Sequence, residues 1–227
     1  HWIEYVDKLF CVSEDMKKYI EFVCPKVVGR TAVFYNLIDS MEIIVKAGDG
    51  HAFGKGITLV TVGRLASEKG QDMIPQTVRF LLDAGYQVKW YIVGDGPLRK
   101  IVEEKNREFG VTENVIFTGT LSNPYPYMKG CNIYVQTSYD EGWGLTVQEA
   151  KILHKPIVTT NLPVMREQIV HMKNGYITQG TSPEALFEGI KTLLDNPILC
   201  EQFAEELKKE SHDNTQELEK LYTFIES

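Results

Sequence analysis

Short, near-continuous apolar runs alternate along the chain with longer segments whose apolar positions recur at helical spacing. The short runs predict strands over residues 8–12, 32–35, 57–62, 88–93, 114–117, 132–136, 156–159 and 175–178. The longer segments predict helices over 14–23, 70–84, 97–109, 145–154, 163–169 and 183–195, and a helical tail from about 198 to 226. Strand and helix in regular alternation build βαβ units with parallel strands. Strands that are apolar throughout, rather than at every second position, suit a sheet covered on both faces. The expected fold class is therefore α/β: a Rossmann-like, doubly wound parallel sheet with a C-terminal helical tail.

One composition break interrupts the pattern. The stretch KAGDGHAFGKG, residues 46–56, is glycine-rich and reads as a linker or tight turn. It is not a phosphate-binding P-loop. Asp49 stands where the first glycine belongs, Gly56 replaces the Ser or Thr, and the stretch precedes a strand instead of following one. The break divides the chain into residues 1–50, the remnant of a preceding domain with its linker, residues 51–200, the Rossmann-like unit, and residues 201–227, the tail. No internal repeat stands out.

Composition narrows the function classes. A chain of 227 residues with 43% hydrophobic and 24% charged residues can bury a full core, in one large or two small domains. Its net charge of −7 argues against a nucleic-acid partner, which calls for a basic face. No run of about 18 apolar residues exists to suggest a membrane span. No secretion signal is visible, and the first residue is His1, as in a piece of a longer protein. Cys11, Cys24, Cys131 and Cys200 form no CxxC pair, and all but Cys131 lie in apolar runs. They read as buried free thiols in a reducing, cytoplasmic compartment.

In an open parallel sheet, ligands bind beyond the carboxyl ends of the strands, so the chemistry is sought there. After strand 57–62 comes VGRLASEKG. Gly63 permits a sharp turn, and Arg64 and Lys69 lie next to an expected helix start near Gly70. Cations there oppose the helix dipole unless an anion lies between them, and a diphosphate would fit. The plainer alternative is two solvated charges pairing with Glu68. After 88–93, VGDGP supplies Gly94 and Gly96 before Pro97, a turn into a helix or a backbone contact to a ligand. After 114–117, FTGTLS could lay a planar base along the backbone near Leu121.

After 132–136 comes SYDEGWGLTVQEA, residues 138–150. Gly142 and Gly144 allow unusual backbone angles, so amides at Trp143, Gly144 and Leu145 can point at a phosphate or sugar hydroxyl. Glu141 sits in the bend. Glu149, eight residues on, sits one turn into a helix, where a carboxylate can accept both hydroxyls of a ribose diol. The alternative is a dipole-serving helix glutamate and a solvated loop glutamate. There is no Asp-x-Asp, HExxH or GxSxG, and no pair of histidines has metal-ligand spacing.

GRLASEKG, VGDGP, FTGTLS and SYDEGWGLTVQEA, in this order, resemble the carboxyl-terminal, donor-binding domain of GT-B glycosyltransferases of the retaining family GT4 (glycosyl transferases group 1), over residues 57 to about 200. LFCVSEDMKKYI and VFYNLID, residues 9–20 and 33–39, resemble the passage out of the first domain. The resemblance implies hexosyl transfer with retention from a nucleotide-diphosphate sugar, UDP favoured and GDP possible, to a saccharide or lipid-linked acceptor. It implies that Gly63, Arg64 and Lys69 hold the diphosphate, that Gly94 and Leu121 lie along the nucleotide, that Glu149 grips the ribose, and that Glu141 contacts the transferred sugar. Gly142, Trp143, Gly144 and Leu145 would line donor phosphate and sugar, with Arg64, Lys69 and Glu141 as the catalytic groups. It implies no metal and no separate cofactor, and a first domain that supplies most acceptor contacts and allows peripheral membrane association. This chain alone is then expected to bind donor weakly and transfer poorly. A non-catalytic nucleotide-sugar-binding module and a GT-B-like epimerase are the competing functions.

Overall fold

The computed structural model describes residues 2–211 and 216–226. The chain begins with a small βαβ unit: β1 (Leu9–Cys11), α1 (Glu14–Val23) and β2 (Thr31–Val33), the two strands pairing in parallel. Ser13 caps α1, its side chain accepting from the Met16 amide at 3.1 Å. Then follow α2 (Ser40–Ala47), β3 (Ile57–Val62), α3 (Ile74–Asp83), β4 (Val88–Val93), α4 (Arg99–Glu108), β5 (Val115–Gly119), α5 (Tyr125–Gly130) and β6 (Ile133–Gln136). The remainder is α6 (Leu145–Ile152), β7 (Ile157–Thr159), α7 (Met165–Gln168), β8 (Tyr176–Ile177), α8 (Pro183–Asp195), α9 (Pro197–Lys208) and α10 (Gln216–Glu226).

Strands β3 to β8 form one parallel sheet in the order β5-β4-β3-β6-β7-β8. The chain winds from β3 to one edge, returns to the centre at β6, and winds to the other edge. The strand order reverses between β3 and β6, and the carboxyl ends there part to leave a crevice.

Both faces of the sheet are covered, as the unbroken apolar strands require. Successive residues point to opposite faces: Leu59 and Ile133 pack with Ile74, Val78, Leu186, Ile190 and Phe203, whereas Val60 and Tyr134 pack with Ile43, Met128, Val147 and Met165. Trp90 is fully buried, with its indole N–H donating to Thr61 Oγ1 at 2.9 Å.

All eight expected strands form, β3 and β4 at their expected bounds, β5 reaching on to Gly119 and the rest within one or two residues of theirs, but the helices depart from expectation in five places. Helices α2 and α5 were not expected. The helix expected from residue 70 begins at Ile74, after 3-10 turns at Ser67–Lys69 and Gln71–Met73. The helix expected over 163–169 is the single turn α7. The single tail is two helices, α9 ending at Lys208 and α10 starting at Gln216; Asn196 caps the first, its side chain accepting from the Leu199 amide at 3.2 Å. Residues 212–215, expected as helix within that tail, lie outside the described residues.

The glycine-rich stretch after α2 is pinned rather than loose: the His51 amide donates to Pro126 O at 2.7 Å, and its ring stacks on Tyr127 at 4.3 Å. Helix α10 lies on the β1–β2 sheet, where Phe224 meets Phe10 edge-on at 5.1 Å and Glu217 accepts from the Tyr35 amide at 3.3 Å. Phe224 therefore has a partner in that sheet, while Leu218 stays exposed and Leu221 half-buried. All four cysteines are free; Cys11 and Cys131 are buried, Cys24 and Cys200 half-buried. No helix among the described residues is long and apolar enough to cross a membrane.

Candidate functional site

The crevice between β3 and β6 holds a pocket of about 250 Å³, lined by Gly63 after β3, by Lys69, by Glu141, Trp143, Gly144, Leu145 and Thr146, and by Val12 and Asn36 of the first βαβ unit. Glu141 is its best-held charge. Oε1 accepts from Lys69 Nζ at 2.7 Å, Gln136 Nε2 at 2.7 Å and Ser138 Oγ at 2.9 Å. The carboxylate is only 6% exposed and Lys69 27%. Gln136 is itself fixed, accepting from the Tyr134 hydroxyl at 2.8 Å and Thr146 Oγ1 at 3.1 Å. Burial pushes the Tyr134 hydroxyl pKa far up, which keeps that group a donor. A buried polar chain thus runs from the sheet to Lys69.

Backbone contacts place Lys69. Its carbonyl accepts from Thr137 Oγ1 at 2.7 Å, and Gly70, at φ +63°, passes so close to β6 that a Cβ would stand 2.2 Å from Thr137 O. The amides of Tyr139 and Asp140 donate to Glu68 O at 2.8 and 3.1 Å. The loops after β3 and β6 are therefore joined, and Lys69 cannot move without both.

Helix α6 opens at the pocket. Its cap, Gly144, has φ +83°, and a Cβ there would stand 2.7 Å from Met165 Cε. The first amides of any α-helix lack partners inside it, and here those of Leu145 and Thr146 begin at the pocket wall. Gln168 Nε2 donates to the Trp143 carbonyl, Trp143 Nε1 donates to Gln148 Oε1 at 2.9 Å, and the Trp143 ring packs on Tyr35 at 4.6 Å. Gly142 does not adopt a left-handed angle; a side chain there would instead press on Met16, its Cβ 3.2 Å from Cε.

The remaining sequence candidates lie around this pocket rather than in its wall. Arg64 follows Gly63, is 70% exposed, and donates from Nη2 to Glu68 Oε1 at 2.9 Å. The plainer alternative, both cations pairing with Glu68, thus holds for Arg64 alone, because Lys69 turns to Glu141. Nor does Lys69 stand at a helix start: it closes the first of two 3-10 turns, so the dipole argument does not apply to it. Gly94 has a packing reason, since its Cβ would lie 2.0 Å from Gly63 O. Leu121 packs, partly buried, against the core cluster that holds Tyr134 and Val147. Glu149 is half-buried one turn into α6, and accepts from the Tyr125 hydroxyl at 3.2 Å. Burial raises its carboxyl pKa, partly offset by that hydrogen bond. Burial and the facing carboxylate push the Tyr125 hydroxyl up to about 12.

A second, larger pocket of about 690 Å³ adjoins the first. Asp140, Glu141 and Gly142 form one side, and Asp15, Met16, Lys18, Tyr19 and Phe22 of α1 the other. Glu141 borders both pockets. Sequence reasoning missed Gln136, Ser138, Tyr125, Thr146, Val12 and Asn36. One signal was present: Gln136-Thr137-Ser138 is a polar triplet closing an apolar strand, and all three residues are buried.

Known proteins resemble this chain in sequence and fold. The uncharacterized glycosyltransferase MJ1178 of Methanocaldococcus jannaschii is 27% identical over 223 residues, covering 96% of this chain and 56% of the relative. The capsular polysaccharide biosynthesis glycosyltransferase CapM of Staphylococcus aureus is 27% identical over 173 residues, covering 72% of this chain and 45% of the relative. The chain spans about half the length of these curated relatives. A mutant of S. aureus TarM, crystallised with fondaparinux, alpha-GlcNAc-glycerol and UDP, superposes with a TM-score of 0.85 at 20% identity over all of this chain and 45% of its own. Anabaena Alr3699/HepE, in complex with UDP and glucose, gives 0.82 at 18% identity over 98% of this chain and 63% of its own. These likenesses establish the fold as that of the carboxyl-terminal part of a GT-B glycosyltransferase. A family model described as Glycosyl transferases group 1 matches residues 47–210, most of the chain, and the chain belongs to that family.

Proposed function

We propose that this chain carries the nucleotide-sugar site of a retaining, GT4-like hexosyltransferase that uses a UDP-sugar and acts in polysaccharide or glycolipid synthesis. The observation that carries the reading is Lys69, locked at 2.7 Å against the buried Glu141 beside the first turn of α6, at the point where strand order reverses. Positive charge and free amide donors converge there on one small pocket, which is what a diphosphate requires. The complexes of HepE with UDP and glucose and of TarM with UDP support a uridine donor. The role of CapM in capsular polysaccharide biosynthesis supports the product class.

On this reading Lys69 and the amides of Leu145 and Thr146 hold the diphosphate, joined by Arg64 when it leaves Glu68. Glu149 accepts the ribose hydroxyls, and Glu141 orients the transferred sugar. The larger pocket takes the acceptor saccharide, with Tyr19 and Phe22 offering ring faces and Asp140 accepting hydroxyl protons. In the reaction, the bond from the sugar anomeric carbon to the diphosphate oxygen breaks. The acceptor oxygen bonds that carbon on the same face, and its proton passes to the departing diphosphate. The cations and amides stabilise the charge that develops on the leaving group. Residues 1–50 belong to the preceding domain and its linker, 51–200 to the donor-binding unit and 201–227 to the tail, in a protein of the reducing cytoplasm.

Titration calorimetry of the chain with UDP, GDP, ADP and UDP-hexoses tests the reading. Binding of UDP above the other nucleotides is expected, with loss of affinity in Glu149→Ala. Absence of binding by all three nucleotides refutes it.

A further inference from the structure

We infer that Glu167, on the single-turn helix α7, is a positioning residue that clasps the first βαβ unit against the sheet unit and so sets the far wall of the nucleotide-sugar pocket. The inference rests on the donor-binding reading above.

Glu167 reaches across the chain in two directions. Its Oε1 accepts from the Asp15 amide at 2.9 Å and its Oε2 from the Glu14 amide at 3.0 Å. These are the first two amides of α1, which have no acceptor within that helix, and the carboxylate also meets the positive end of the helix dipole. Ser13 takes the third amide. One cap is thus local and the other is supplied from more than 150 residues away. Oε2 also accepts from the Tyr35 hydroxyl at 3.3 Å. Burial and the Glu167 charge push that hydroxyl pKa up to about 12, so it stays a donor.

The held residues border the pocket. Ser13, Glu14 and Asp15 follow Val12, and Tyr35 precedes Asn36; Val12 and Asn36 are the residues this unit contributes to the pocket wall. The next residue of α7 holds the opposite wall. Gln168, buried, donates to the Trp143 carbonyl, and Trp143 in turn packs on Tyr35. The Oε1 of Gln168 is buried without a partner among the described residues, so the side chain is placed for the one bond its nitrogen makes. Two consecutive side chains therefore set the spacing between Val12 and Asn36 on one side and Gly144 and Leu145 on the other. Neither is in the pocket lining, so both act through the residues they hold.

The test is calorimetric titration of UDP into the 227-residue chain and its variants Glu167→Ala, Glu167→Gln and Tyr35→Phe, each melted in parallel. Loss of the clasp should raise the UDP dissociation constant about tenfold in Glu167→Ala and in Glu167→Gln, the latter retaining size and fold. Tyr35→Phe keeps the ring contact to Trp143, loses one hydrogen bond, and should raise it about threefold. In the full-length enzyme the same variants should raise KM for the donor with kcat nearly unchanged, a split that general loss of folded protein does not produce. If the original chain binds UDP and the Glu167 variants bind it equally well, even with lower melting temperatures, Glu167 is only a helix cap and the inference falls alone. If the original chain binds no nucleotide, the inference falls together with the donor reading.

Discussion

Replacing Lys69 and Arg64 separately by Met distinguishes two kinds of positive charge at the same crevice. Lys69 neutralises a carboxylate that is 6% exposed, and is itself 27% exposed. Removing one partner of a fully buried pair costs about 3–5 kcal/mol, mostly the penalty of the charge left behind. Here that figure is an upper bound, since Lys69 is partly wet and Gln136 and Ser138 still donate to Glu141. About 2 kcal/mol is the expected loss for Lys69→Met. Arg64 is 70% exposed and its partner Glu68 37%, a solvent-screened pair whose loss should leave the unfolding midpoint nearly unchanged. Urea unfolding followed by circular dichroism measures both, with an unchanged slope confirming that midpoint shifts report stability. On the proposed donor reading each variant loses a charged contact to the diphosphate, so titration with UDP should show both weakened about tenfold or more. Equal stabilities for the two variants would refute the argument that Glu141 depends on Lys69.

Three further outcomes follow from the same geometry. Gly144→Ala forces a side chain into φ +83° against Met165; a loss of about 1–2 kcal/mol in urea unfolding is expected, with weaker UDP binding because the α6 amides shift. Glu149 has a carboxyl pKa raised by burial, so the folded chain keeps a proton that the unfolded chain has lost. Its stabilising contribution is therefore present at low pH and lost as pH rises through the folded value, which Glu149→Gln should abolish in pH-dependent melting. The proposed ribose grip by Glu149 would need the ionised form, so UDP affinity should move the opposite way, weakening as pH falls through that raised value, and titration of Glu149→Gln should show no such dependence.

Much of this fold was legible because its signals are local. Apolar runs such as ITLVTV and VKWYIV have few alternatives to buried strands, and all eight strands form where expected. Helix α2 does carry a local signal, Asp39 and Glu42 ahead of the apolar run IIV, and Asp39 accepts from the Glu42 amide at 2.8 Å. Helix α5, YPYMKG, carries no helical period to read; the packing of Met128 in the core defines it. In the site, Lys69, Glu141, Trp143, Gly144 and Leu145 were found as strand-end residues and do share one pocket. Val12, Asn36 and Glu167 were out of reach, because their roles arise from contacts between distant segments. Arg64 shows the limit from the other side: its type and position suggest an anion, while its contact in the structure is Glu68.

The central claim is that a nucleoside diphosphate binds where β3 and β6 part. Amide chemical shifts of ¹⁵N-labelled protein, followed during UDP addition, test it most directly. The account predicts the largest changes at Gly63, Lys69, Gly144, Leu145 and Thr146, with small changes at β1 and α10. Saturable changes centred elsewhere, with these five amides unmoved, would contradict it.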